Sequence, residues 1–165
     1  MSEQMPERID PAKLAQKQAV LRGELPFSAC ERLLEMALNP DGRVSLELAF
    51  GREGGMIRVR GRVETTVRLQ CQRCLEAVDL PVRSEVDLGV VASLDEADRL
   101  PEGCEPLLRE GDALLALSEL VEDEIILALP YIPRHPACGG GGERDDSAQT
   151  GATRKPFGAL PGLKR

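Results

Sequence analysis

Two pairs of metal-binding side chains stand far apart in this chain with the same two-residue gap. They are Cys71 and Cys74 in Cys-Gln-Arg-Cys, and His135 and Cys138 in His-Pro-Ala-Cys. That gap lets two side chains grip one tetrahedral ion, and three thiolates with one imidazole form an ordinary zinc set with Zn–S bonds of about 2.3 Å. His135 is also the only histidine in the chain. The spacing therefore makes Cys71, Cys74, His135 and Cys138 candidate ligands of one metal site, with zinc as the candidate cofactor, while the meeting of the two halves is left to the fold. Such a site would tie a hairpin tip to the segment after the last helix. Unligated thiols are the plainer alternative. A redox pair at Cys71 and Cys74 is the rival chemistry, but redox pairs of this type open a helix whose dipole lowers the first thiol's pKa. Here both flanks read as strands, so that activation is not expected. Cys30 and Cys104 read as packing or surface residues.

Charge is the second source of candidate sites. Arg58, Arg60 and Arg62 recur two apart on one strand face, roughly 6.6–6.8 Å between neighbours, and Arg68 and Arg73 extend the row toward the cysteine loop. Such a row can touch successive RNA phosphates, with guanidinium suited to bidentate capture. Its plain alternative is a solvated outer face. Glu119, Glu122, Asp123 and Glu124 form an acidic helix face with no Lys or Arg between Arg109 and Arg134. They are candidates for meeting a basic partner. Clustered carboxylates can also hold catalytic magnesium, so a metal-dependent ribonuclease acting on Glu119, Glu122 and Asp123 is an alternative reading. No Ser/His/Asp set or phosphate-cradling glycine loop is present, and one histidine leaves little for general acid–base work. The chain is expected not to be an enzyme.

The elements that must position these residues are legible in the hydrophobic period. Residues Pro11 to Lys17 look weakly helical, and Ala19 to Leu25 read as a strand around Gly23. A helix follows over Ser28–Leu38, capped by Ser28 and ended by Asn39-Pro40-Asp41-Gly42. The period then becomes two. Val44, Leu46, Leu48 and Phe50 lie on even positions, then Ile57, Val59, Val63, Val67 and Leu69 on odd ones, with a bend or break at Gly61. After the cysteines the apolar positions are even again, from Val78 to Val90. The change of parity predicts a hairpin whose loop holds Cys71 and Cys74. Pro81 lacks an amide donor and argues for an edge strand or a bulge. Residues 95–110 read as a long connection. The strongest helix is expected over Asp112–Leu129, with Asp112 as its cap and Pro130 as its stop. The run Gly139-Gly140-Gly141-Gly142 opens a tail over 139–165 that reads as a flexible linker and a basic, apolar end. The expected fold is α+β: a mostly antiparallel sheet against two helices in one domain over 1–138, followed by a disordered C-terminal tail.

Bulk composition narrows the function. The 165 residues are 42% hydrophobic, enough for one packed core. With three Phe, one Tyr and no Trp, platforms for stacking RNA bases are not expected. A net charge of −7 argues against binding nucleic acid chiefly through phosphate neutralisation over the whole domain. RNA contact must be local, or the partner a basic protein. No secretory signal or span of roughly 20 apolar residues is visible, so neither a membrane nor a small-molecule substrate is expected. The odd cysteine count without an export signal suggests a reducing cytoplasm.

Longer stretches carry a family resemblance. Cys71-Gln72-Arg73-Cys74-Leu75, the run Val121-Glu122-Asp123-Glu124-Ile125-Ile126-Leu127-Ala128-Leu129-Pro130, and Pro133-Arg134-His135 with Cys138 resemble the large ribosomal RNA subunit accumulation proteins, the YceD family. Asp10-Pro11 and Lys155-Pro156-Phe157-Gly158-Ala159-Leu160 are similar to its members as well. The resemblance implies a bacterial cytoplasmic ribosome biogenesis factor, needed for synthesis, processing or stability of 23S ribosomal RNA. It implies partners among basic ribosomal proteins and the large-subunit RNA precursor, family positions at Cys71, Cys74 and Cys138, and no catalytic residues.

Overall fold

A computed structural model describes residues 5–138; the tail expectation over 139–165 falls outside them. The fold is α+β. In chain order it runs β1 (Arg8–Ile9), α1 (Pro11–Gln16), β2 (Val20–Pro26), a 3-10 turn (Phe27–Ala29), α2 (Glu31–Met36), β3 (Arg43–Glu53), β4 (Met56–Gln70) and β5 (Ala77–Val91). It continues with α3 (Leu94–Ala97), β6 (Glu105–Leu108), β7 (Leu115–Ala116) and α4 (Leu117–Ala128). Five strands pair in the order β2-β3-β4-β5-β6, and β1 pairs with β7. All pairings are antiparallel except β5 with β6.

The alternating residues become the core because period two sends them to one side of the pleat. Val44, Leu46, Leu48 and Phe50 on β3, Val59, Val63 and Val67 on β4, and Val82, Val86 and Leu88 on β5 are all buried together. Leu117, Leu120, Val121 and Ile125 of α4 pack on this face. Strand β4 runs unbroken through Gly61. A Cβ there would overlap the Glu47 carbonyl oxygen of the adjacent strand, so glycine permits the approach. Pro81 lies where β5 has β4 as its one neighbour, since β6 pairs only with Leu88–Val91. The missing amide therefore costs no ladder bond.

Several sequence expectations are corrected. The first long helix is shorter than Ser28–Leu38. Ser28 sits in the 3-10 turn, and α2 begins at Glu31 with no capping side chain from its own N-cap, Cys30. The second helix begins at Leu117 instead of Asp112. Leu115 and Ala116 are taken by pairing with Ile9 and Arg8, which holds the backbone extended. Residues 95–110 are not a bare connection, because they hold α3 and β6. The sheet is covered chiefly by α1 and α4, while α2 leans on the 3-10 turn and α4. Asp10 caps α1 by accepting from Ala12 and Lys13 N–H, and also accepts from the buried Arg109 at 3.1 Å. That bond ties the start of the chain to the segment before α4.

Candidate metal centre

Strands β4 and β5 close at Gln70 opposite Ala77, and the loop between them carries Cys71 and Cys74. The loop is folded by its own backbone: Cys71 N–H donates to Glu76 O (2.8 Å) and Leu75 N–H to Cys71 O (3.0 Å). Leu75 holds φ at +64°, a left-handed conformation rare for a branched apolar residue and found where surroundings impose it. Residues Pro133–Cys138 arrive after α4, which Pro130 ends. Gln72 N–H donates to Pro133 O at 2.9 Å, so backbone already joins the two halves.

The fold brings the four side chains together. Their ligand atoms all lie within 4.8 Å of one another, and among the described residues this is the group of His, Cys, Asp and Glu able to hold a metal ion. Cys71 Sγ is 3.7 Å from Cys138 Sγ, and Cys74 Sγ is 3.4 Å from His135 Nδ1. In a tetrahedron with Zn–S near 2.3 Å and Zn–N near 2.0–2.1 Å, the edges are about 3.8 Å for S···S and about 3.5 Å for S···N. The observed pairs match both. A disulfide would need about 2.05 Å, and all five cysteines are free. His135 Nε2 lies 3.0 Å from Ala77 O. Donation of its proton to that carbonyl leaves Nδ1 with a free lone pair aimed at the sulfurs, the outer contact that orients a histidine ligand.

Electrostatics point the same way. The Cys71 thiol is pulled down to about 5, chiefly by the Cys74 backbone N–H, with the Arg73 and His135 amides adding to it. Loop amides thus do what a helix N-terminus does in redox pairs, an activation the strand-flanked sequence did not suggest. The Cys138 thiol is pushed up to about 11, first by burial and then by the neighbouring Cys74 and Cys71 sulfurs. Packed sulfurs resist a second negative charge, and a divalent cation among them would lift that penalty.

A family model for the large ribosomal RNA subunit accumulation protein YceD matches residues 59–164. The chain is also 33% identical, over 159 residues, to the large ribosomal RNA subunit accumulation protein YceD of Haemophilus influenzae, an alignment spanning 95% of this chain and 86% of that protein. The chain belongs to the YceD family. No solved structure matches it. The matched span holds all four candidate ligands together with α4.

The remaining candidates of this YceD-family chain are placed differently from the sequence picture. Arg58, Arg60, Arg62 and Arg68 do share the outer face of β4, but each has a carboxylate partner. Arg58 grips Asp87 with two bonds of 2.6 and 2.7 Å and reaches Glu53; its side chain is only 11% exposed. Arg60 pairs with Glu53, Arg62 with Glu47, and Arg68 with Asp79. These partners become visible only with strand register, which sets Arg68 opposite Asp79 and Arg62 opposite Glu47. Arg73, on the cysteine loop, is exposed and makes no ion pair among the described residues. Arg134 is exposed likewise beside His135; the sequence reading passed it over, although adjacency to a ligand marked it.

The acidic candidates divide in two. Glu119 and Asp123 are exposed, whereas Glu122 and Glu124 are buried, a correction to the expected outward row. Glu122 Oε1 accepts the Leu33 N–H at 2.8 Å and Oε2 accepts from Arg32 Nε at 2.9 Å, so this carboxylate caps α2 from another helix. Arg32 also binds Asp123 at 2.7 Å. Glu124 accepts from Ser84 Oγ at 2.9 Å, and burial raises its pKa. Helix-wheel reasoning missed this because α4 is covered on more than one side.

Proposed function

We propose that this chain works by holding and not by turnover, as a non-enzymatic factor in the cytoplasm whose binding supports the accumulation of large-subunit ribosomal RNA. The observation that carries this reading is the four-ligand set. Four protein ligands fill a tetrahedral zinc ion, which leaves no position for water or substrate, and sites of that kind serve structure. The ligands Cys71, Cys74, His135 and Cys138 would pin the β4–β5 tip to the segment after α4. Of the three carboxylates a magnesium nuclease would need, Glu122 is held by Leu33 N–H and Arg32 and Asp123 by Arg32, which leaves Glu119 alone, among the described residues, free to meet a metal ion. The Haemophilus influenzae relative carries large-subunit RNA accumulation in its printed name.

Contact with precursor RNA is assigned first to Arg73 and Arg134, exposed guanidiniums beside the centre. The outer stripe of Arg60, Arg62 and Arg68 joins only by exchanging carboxylates for phosphates, and Arg58 contributes least because it is nearly buried. A basic ribosomal protein is the second partner, facing Glu119 and Asp123.

The test is complementation of a strain lacking the chain. The wild-type gene should restore the ratio of mature large to small ribosomal RNA. Arg73→Ser with Arg134→Ser should reduce co-purifying precursor RNA several-fold without unfolding the protein. A ratio that never depended on the chain would end the reading. Cleavage of precursor RNA by purified protein with magnesium would replace it with the nuclease alternative.

A further inference from the structure

The five-stranded sheet curls until its two edge strands line one groove. Leu25 and Pro26 of β2 form one wall and Leu107 and Leu108 of β6 the other, in an open volume of about 1050 Å³. The floor is continued by Leu114 and Leu115, and Leu108 and Leu114 are 51% and 45% exposed. A single exposed leucine is ordinary; what marks the groove is that Leu107, Leu108, Leu114 and Leu115 line it together. The charges lining the groove are five carboxylates, including Glu7, Glu31, Glu119 and Asp123, against two guanidiniums, Arg8 and Arg43. Arg43 is already bound to Glu24, and Arg8 donates to a backbone carbonyl. Glu31 and Glu119 have no ion-pair partner among the described residues. The site therefore presents an apolar floor, a negative rim and two strand edges.

We propose that this groove docks an extended basic polypeptide segment, one that alternates Lys or Arg with aliphatic residues. It rests on the reading of a basic protein partner above and names where and how that partner binds. An extended segment suits the groove because its alternate side chains face opposite ways; Pro26 and Pro106 lack amide donors, so side chains and not a strand ladder carry the affinity. Its aliphatic side chains meet Leu108 and Leu114, and its cations meet Glu31 and Glu119. RNA is disfavoured by the rim's sign.

The experiment uses the full chain and two fluorescein-labelled peptides of equal charge, one alternating Lys with Val and one alternating Lys with Ser. The Lys-Val peptide should bind at least about tenfold more tightly, and it should shift the methyl resonances of Leu107, Leu108, Leu114 and Leu115. Glu31→Gln with Glu119→Gln should weaken it about tenfold, and Leu108→Ser with Leu114→Ser should reduce it to the level of the Lys-Ser peptide. Equal affinity for the two peptides overturns the proposal, as do methyl shifts confined to another surface. Groove shifts caused by a single-stranded RNA oligonucleotide, or a concentration-dependent dimer that covers these methyls, would assign another occupant. Cross-linking of Lys155 or Lys164 to Glu31 or Glu119 in the monomer would instead assign the chain's own C-terminal segment. Loss of peptide binding with ribosomal RNA accumulation still dependent on the chain would sink the groove alone and leave the function standing.

Discussion

Replacing Glu122 with Ala removes one carboxylate that serves two helices. Its Oε1 satisfies the N–H of Leu33, a residue with no exposed surface, and its Oε2 holds Arg32. Helix α2 has no capping side chain of its own at Cys30, so nothing nearby replaces the lost acceptor. An orphaned buried donor costs about 1–3 kcal/mol, and loss of an N-cap typically costs about 1 kcal/mol; these describe the same bond and are not added. The Arg32 guanidinium is half exposed and returns to water, so its release adds little. Removal of the one packed methylene, Cγ, contributes about 0.8 kcal/mol more. The net expectation is a loss of about 2–4 kcal/mol. Glu122→Gln keeps an acceptor for Leu33 and should lose less than half as much. Urea unfolding with an unchanged m-value measures both variants, and hydrogen exchange at the Leu33 amide locates the effect. An alanine variant within about 0.5 kcal/mol of wild type, the ordinary spread of surface substitutions, would refute the capping argument. A glutamine variant as damaged as alanine would move the weight from the cap to the charge.

Other outcomes follow from the same geometry. Elemental analysis of protein purified without chelator should find about one zinc per chain; Cys74→Ser should abolish it and Cys30→Ser should leave it unchanged, with equal metal in both refuting the site. Gly61→Ala should destabilise the fold by about 3 kcal/mol or more, because backbone of a neighbouring strand must give way; a normal urea midpoint would show that the strands are farther apart. Glu124→Gln should raise the melting temperature at pH 7. Burial raises the folded pKa of Glu124, so its penalty is present in full above that value and disappears below the unfolded value of about 4.3. The advantage of the glutamine should therefore vanish in melting curves recorded near pH 4.

The amino-acid sequence by itself determined which residues point inward along β3, β4 and β5, where the hairpin turns, and which four side chains have the chemistry to hold a metal. These follow from neighbours along the chain: period-two alternation, a parity change across the loop, and the gap between paired ligands. Tertiary structure alone decided that the His135–Cys138 half lands on the Cys71–Cys74 loop, because that meeting depends on where α4 ends against the sheet. It alone turned Glu122 and Glu124 inward and matched Arg58 and Arg68 to Asp87 and Asp79. It also shortened α4, when Leu115 and Ala116 were drawn into pairing with residues more than a hundred positions away. Strand register and sheet curvature set these contacts, and both come from the packing of the whole chain, which no local window of residues contains.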